Sequence, residues 1–129
     1  MKFRSIAVLA LIILITSIVL SACNGGSAAT PVPGGKILNV ETTEFTFAPN
    51  KFEAKVGDKL TFKITNKGVL DHSVAIIDLD GAVIGRVDVR IGSTASLNFV
   101  PNKAGTYQLY CDVPGHKDSG MVGTLDVKP

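Results

Sequence analysis

The chain has 129 residues, of which 46% are hydrophobic, and this composition suits one small domain with a single core. Its formal charge of +2 comes from Lys2 and Arg4, because residues 23–129 hold equal numbers of basic and acidic side chains. A nucleic-acid-binding protein normally carries a basic stripe, so we expect no nucleic-acid partner, and we expect a monomer.

The first 22 residues read as a secretory signal. Lys2 and Arg4 precede an apolar run at residues 6–20, which is short for a membrane-spanning helix of roughly 20 residues. The sequence LSAC, ending at Cys23, follows this run and resembles the lipobox of bacterial lipoproteins. We therefore predict cleavage after residue 22 and lipidation of Cys23, which would anchor the domain to the cell membrane, in the periplasm or on the outer face. An ordinary signal peptide or an uncleaved signal anchor would also place the domain outside the cytoplasm.

The next segment reads as a tether. Residues 24–35 have the sequence NGGSAATPVPGG, which lacks apolar periodicity and consists mostly of small residues and proline. Such composition is typical of a flexible linker with some stiffening by proline. The predicted organisation is a signal peptide at residues 1–22, a lipidated Cys23 with its linker to residue 35, and a folded domain at residues 36–129.

The remaining residues predict β-strands, because short alternating or β-branched runs are separated by turn residues and no helical periodicity is present. The predicted strands are residues 37–47, 51–56, 59–66, 72–79, 83–91, 94–99, 106–110 and 121–127. The first run could also be two short strands. About eight strands at this spacing predict an all-β Greek-key sandwich. The predicted core residues are Leu60, Phe62, Ile64, Val74, Ile76, Leu97, Phe99, Tyr107, Leu109 and Leu125.

One loop carries three potential metal ligands. Residues 110–125 read YCDVPGHKDSGMVGTL, which places Cys111, His116 and Met121 between two predicted strands. Structural zinc sites rarely use Met, calcium and magnesium take oxygen ligands, and an iron–sulfur cluster needs several thiolates. Copper fits this set, because two His and one Cys with a weak axial Met form the blue-copper geometry.

That geometry requires a second histidine, and His72 is the only other one in the chain. It lies at the start of a predicted strand, and a sandwich can bring such a strand end beside a later loop. Taken singly, a strand-edge His is usually surface and a lone Cys usually a small buried hydrophobe. The combination predicts one copper with His72, Cys111 and His116 as ligands and Met121 in the axial position. Because Cys23 and Cys111 both need a free sulfur, we predict no disulfide.

The order of one distant His followed by C-x4-H-x4-M resembles the cupredoxin family over about residues 36–129. The sequence CDVPGH is similar to the azurin and auracyanin loops, whereas the step from His116 to Met121 is closer to plastocyanin and pseudoazurin. The resemblance implies a Greek-key sandwich, one type 1 copper that cycles between Cu(I) and Cu(II), and electron transfer rather than enzymatic activity. It also implies that redox partners dock transiently near His116.

The chain departs from the family pattern in two places. The chain lacks the cysteines that form the disulfide of azurins. The residue after the first ligand His is often Asn in the family and is Ser73 here. In the family that residue ties the two ligand loops together, so Ser73 leaves this tie in question. The implied docking surface consists of Val69, Leu70, Val113, Pro114 and Val122 around His116. Pro114 lacks an N–H, which should leave fewer donors to the Cys111 sulfur.

Three other functions compete with an electron carrier. A copper carrier or chaperone would favour an open site rich in Met or His. A fragment of a copper oxidase or nitrite reductase would need further copper ligands, and no histidine is left over. A binuclear copper domain would need two cysteines on the loop, where only Cys111 is present. The copper carrier is therefore the principal alternative.

Overall fold

A computed structural model describes residues 29–129, and this part of the chain folds as a β-sandwich. The strands are β1 Lys36–Thr43, β2 Thr46–Ala48, β3 Lys51–Lys55, β4 Leu60–Asn66, β5 His72–Ile77, β6 Val83–Val89, β7 Thr94–Phe99, β8 Gly105–Tyr110 and β9 Val122–Lys128. They form a four-stranded sheet of order β2-β1-β4-β7 and a five-stranded sheet of order β3-β9-β8-β5-β6. The predicted all-β sandwich is confirmed. No helix in residues 29–129 is long and apolar enough to cross a membrane.

The described range has one strand more than the eight expected, because the run predicted at residues 37–47 breaks at Glu44 and Phe45. Phe45 has a φ of 64°, a left-handed conformation that is uncommon for residues other than glycine. The chain reverses there, and β2 pairs antiparallel with β1. The interpretation of this run as two short strands is therefore the correct one.

Connections between the sheets follow the crossed pattern expected of a Greek key. β1 pairs parallel with β4, and β3 pairs parallel with β9, although neither pair is consecutive in the chain. The remaining strand pairs are antiparallel. The predicted core residues are buried between the sheets, except that Leu97 and Phe99 on the edge strand β7 are only partly buried.

The described part of the predicted linker lies against the outer face of the four-stranded sheet. The backbone N–H of Val32 donates to Thr61 Oγ1 at 3.4 Å, and Asn98 Nδ2 donates to the carbonyl of Thr30 at 3.1 Å. Leu60 and Phe62 face the core, so Thr61 between them faces the outer side of the sheet. Its side chain is nevertheless buried. The predicted signal peptide and Cys23 lie outside the described residues, and the domain boundaries stay predictions.

Candidate metal centre

The predicted ligands converge at one end of the five-stranded sheet. β5 begins at His72, β8 ends immediately before Cys111, and β9 begins immediately after Met121. Because β8 runs antiparallel to both β5 and β9, these three strand ends meet. His116 lies in the loop that joins β8 to β9. The order of strands therefore gathers residues that are up to 49 positions apart, as His72 and Met121 are.

The donor atoms of the two predicted histidine ligands and of the predicted cysteine ligand form a tight cluster. Those of His72, Cys111 and His116 lie within 4.8 Å of one another. The two histidine Nδ1 atoms are 3.2 Å apart, and Cys111 Sγ is 3.5 Å from the Nδ1 of His116. Two nitrogens each about 2.05 Å from one ion are about 3.3 Å apart at a tetrahedral angle. The observed spacing matches donors that share a single metal ion.

The loop that carries three of the predicted ligands is closed by its own backbone. The N–H of Cys111 donates to the carbonyl of Met121 at 3.1 Å, and the N–H of Met121 donates to the carbonyl of His116 at 3.0 Å. The N–H of His116 donates to the carbonyl of Val113 across Pro114 and Gly115. Gly115 has a φ of 82°, which a type II turn requires at its second central position. The Pro-Gly pair thus sets the position of His116.

Burial separates the two histidines. His72, Cys111 and Met121 are almost completely inaccessible to solvent, and Met121 belongs to the same buried core cluster as Cys111. His116 retains 7% of its surface, so it is the most accessible of these four residues. The predicted role of Met121 as axial ligand stays a prediction.

The residues present fit a copper ion. Burial lowers the pKa of His72, with repulsion from His116 as the next cause, which favours a neutral imidazole with one free lone pair. Two ring nitrogens facing each other at 3.2 Å can share at most one proton. A metal uses both lone pairs at once, and imidazole, thiolate and thioether together are donors that copper prefers. Cys111 is a buried free cysteine, as this role requires.

Ser73 ties the two ligand segments together, although it differs from the Asn common in the family. Its backbone N–H donates to Cys111 Sγ at 3.3 Å. Its hydroxyl donates to a carboxylate oxygen of Asp112 at 2.5 Å and accepts the backbone N–H of Asp112 at 2.9 Å. Since the single hydroxyl proton serves Asp112, the longer contact of 3.6 Å from this oxygen to Cys111 Sγ adds no strong donor. The sulfur therefore has the N–H of Ser73 as its main donor.

Arg86 extends this tie to a neighbouring strand. Its guanidinium donates to both carboxylate oxygens of Asp112 and to both of Asp88. The hydrogen bond from Arg86 is the main reason that the pKa of Asp112 is lowered, and the two carboxylates raise the pKa of Arg86. Asp112 is thus a charged acceptor held from two sides, next to the predicted thiolate ligand.

The turn between β1 and β2 also contacts the site, and no sequence pattern indicates this contact. Phe45 packs edge-on against the ring of His116, with centroids 5.0 Å apart. Glu44 Oε1 lies 3.8 Å from His72 Nε2. A turn in which a phenylalanine adopts a left-handed conformation has no sequence signature, so neither contact could be predicted.

Comparison with known proteins agrees with this geometry. The family described as Cupredoxin-like domain matches residues 8–125. The plastocyanin of Sambucus nigra is 30% identical over 102 residues, covering 70% of this chain and 96% of the relative. The copper-resistant cuproprotein CopI of Rubrivivax gelatinosus is 26% identical over 119 residues, covering 80% of this chain and 71% of the relative.

Solved structures show the same fold. Auracyanin B superposes with a TM-score of 0.67 at 19% identity, covering 81% of this chain and 94% of that chain. The auracyanin of Roseiflexus castenholzii superposes with a TM-score of 0.65 at 19% identity, covering 80% of this chain and 100% of that chain. With a matched family, matching folds and a ligand cluster arranged as a copper site, the chain belongs to the cupredoxin-like domain family.

Proposed function

We propose that this protein is a mononuclear blue-copper electron carrier, with His72, Cys111 and His116 as equatorial ligands and Met121 as the axial ligand. The observation that carries the proposal is the buried cluster of two imidazoles and one thiol, with donor atoms within 4.8 Å. A copper ion bound there would supply a one-electron couple between Cu(I) and Cu(II). No bond in a substrate is made or broken, so the protein is not an enzyme.

The chain's own residues favour repeated electron transfer by holding the ligands still. Met121 and His116 are joined to Cys111 through two backbone hydrogen bonds within one short loop. Ser73 and Asp112 fix that loop to β5. A rigid ligand set limits the rearrangement that accompanies a change of oxidation state. The sandwich thus keeps the ligand positions nearly the same in the Cu(I) and Cu(II) states.

We place the docking surface for redox partners around His116. It is the ligand with the largest exposed fraction, and exposed apolar residues lie in the loops and at a strand end on this side of the sandwich. They include Val69, at 73% exposed, and Leu70 and Val122, which are each about two-fifths exposed. A small apolar surface suits brief encounters, which bury little area. Electrons would enter and leave through the ring edge of His116.

We further propose that the domain works outside the cytoplasm on a lipid tether at Cys23. The support is the signal-like segment at residues 1–22 and the lipobox resemblance at its end. Partners would then be membrane redox proteins within reach of the tether. Growth in radiolabelled palmitate, comparing the full chain with Cys23→Ala, tests the anchor independently of the copper site.

A redox titration monitored in the visible range tests electron transfer. The carrier should pass through repeated cycles of oxidation and reduction with a single midpoint potential and no loss of copper. Release of copper on the first reduction would contradict the proposal. Reduction assays with membranes of the host would then identify donor and acceptor.

The second candidate is an extracytoplasmic copper-binding carrier. It is favoured by the relatives from Rubrivivax gelatinosus and Pseudomonas aeruginosa, both described as copper-resistant cuproproteins. A copper carrier must release its ion, so competition with a Cu(I) chelator distinguishes the two functions. Rapid transfer of Cu(I) to the chelator would favour the copper carrier, whereas retention would favour the electron carrier.

A further inference from the structure

Glu44 contacts both the loop that leads into β5 and the ring of His72. Its Oε1 accepts hydrogen bonds from the backbone N–H groups of Val69 at 2.7 Å and Leu70 at 3.2 Å. Both belong to the loop that leads into β5. The same oxygen lies 3.8 Å from His72 Nε2. One carboxylate therefore holds the loop and faces the ring edge of His72 that points away from the other ligands.

That ring edge lacks a hydrogen-bond partner. His72 Nε2 is buried without one among the residues that the structure describes, whereas Nδ1 faces His116. When Nδ1 binds a metal, Nε2 must carry the proton, and metal-binding histidines almost always donate this proton to a carboxylate, a carbonyl or water. A movement of less than 1 Å brings the Glu44 carboxylate within hydrogen-bond range of Nε2.

The neighbouring backbone leaves room for this carboxylate. A Cβ at residue 68 would collide with Glu44 Oε1, so the glycine there provides the space that the side chain occupies. The N–H of Gly68 is held separately by Asn66 Oδ1 at 2.9 Å, and Asn66 also donates to the carbonyl of Leu70. The loop before His72 is therefore shaped around a carboxylate at this position.

We propose that Glu44 is a positioning residue for His72: its carboxylate accepts a hydrogen bond from the Nε2–H, orients Nδ1 towards the metal, and stabilises the oxidised site by its negative charge. The inference rests on the proposed function for its redox consequence. Removal of the charge should weaken the oxidised form more than the reduced form. The midpoint potential should therefore rise.

The decisive variant is Glu44→Gln, because its amide oxygen can still accept the N–H groups of Val69 and Leu70. A neutral amide oxygen is a weaker acceptor for the Nε2–H than a carboxylate, and full loss of such an outer partner typically weakens metal binding by 10- to 100-fold. A tenfold weakening of the oxidised form alone corresponds to an upward shift of about 59 mV for a one-electron couple. Glu53→Gln, on the exposed face of β3, removes the same charge elsewhere and should leave the potential near that of the parent.

Glu44→Asp separates charge from loop support, because it keeps the carboxylate and shortens the side chain. Its potential should stay closer to the parent than that of Glu44→Gln. Equal shifts in both variants, or no shift in Glu44→Gln beyond that of Glu53→Gln, would overturn the proposal.

A second readout does not depend on redox activity. In the Zn(II)-loaded protein, NMR of the imidazole nitrogens should show a slowly exchanging Nε2 proton on His72, with a shift that changes in Glu44→Gln. A rapidly exchanging proton, unaffected by Glu44→Gln, would contradict the inference. If the copper-loaded parent lacked a visible band while this proton was still protected, the electron-carrier function would fail and the role of Glu44 would stand.

Discussion

The hydroxyl of Ser73, the second residue of β5, donates a hydrogen bond to the carboxylate of Asp112 in the loop that follows β8. These two residues directly follow His72 and Cys111 in the chain. The bond therefore joins the two ligand-bearing segments at the position next to each ligand. A serine and an aspartate together make the tie for which the family often uses asparagine.

Ser73→Ala should lower the free energy of unfolding of the metal-free protein by about 1–3 kcal/mol, because Ser73 is fully buried and its partner is charged. Urea unfolding measures this change. Thr106→Val is the matched control, since it removes an exposed hydroxyl that donates to Asp126 and should cost within about 0.5 kcal/mol. Equal losses of unfolding free energy in the two variants would show that the Ser73–Asp112 hydrogen bond stabilises the protein no more than an exposed one. The visible band should survive in Ser73→Ala, because the backbone N–H to Cys111 remains.

Met121→Leu should keep the intense visible band and raise the midpoint potential. The thiolate that produces the band is unchanged, and loss of the thioether removes a weak donor that tunes the potential. A Met-to-Leu exchange nearly conserves volume, so the core should stay packed. Leu125→Met makes the reverse exchange in the same core and should leave the potential unaltered. A potential for Met121→Leu equal to that of the parent would mean that Met121 is not a ligand.

Pro114→Ala should raise the midpoint potential. The substitution adds an N–H to the loop that follows Cys111, and a further donor to the thiolate sulfur weakens its donation to copper, which destabilises Cu(II) more than Cu(I). Voltammetry of the variant beside Pro101→Ala, a proline outside the ligand loop, provides the measurement and its control. An unchanged or lower potential in Pro114→Ala would refute this account of the proline.

Val69→Lys should slow electron self-exchange by roughly tenfold or more at low salt, because two approaching copies would bring like charges together. NMR line broadening in mixtures of oxidised and reduced protein measures this rate. Ile37→Lys introduces the same charge at a residue on β1 that is half exposed, and should have a much smaller effect. Equal rates for the two variants would place the docking surface elsewhere.

The residues of the candidate metal centre could be predicted from the sequence because most of them lie in one segment. Cys111, His116 and Met121 lie within one loop, and their spacing is a property of that loop alone. His72 followed by elimination, since the chain holds two histidines. The alternation of Leu60, Phe62 and Ile64 likewise placed one face of β4 in the core, because side chains alternate along a strand.

The residues around the ligands could not be predicted, because their roles depend on strand register. Arg86 reaches Asp112 since β6 pairs with β5 so that Arg86 lies opposite Ala75, and nothing near Arg86 in the sequence indicates this. Glu44 meets the loop before His72 only because the chain reverses at Phe45. Without that turn, residues 37–47 read as one continuous strand.

The visible spectrum of the copper-loaded protein tests the central claim most directly. With Cu(II), the parent should show an intense thiolate-to-copper absorption band, and Cys111→Ser should bind copper without it. The band would establish that Cys111, brought beside His72 and His116 by the fold, is a ligand of a blue-copper centre. A colourless copper-loaded parent, or a band that persists in Cys111→Ser, would contradict the electron-carrier function.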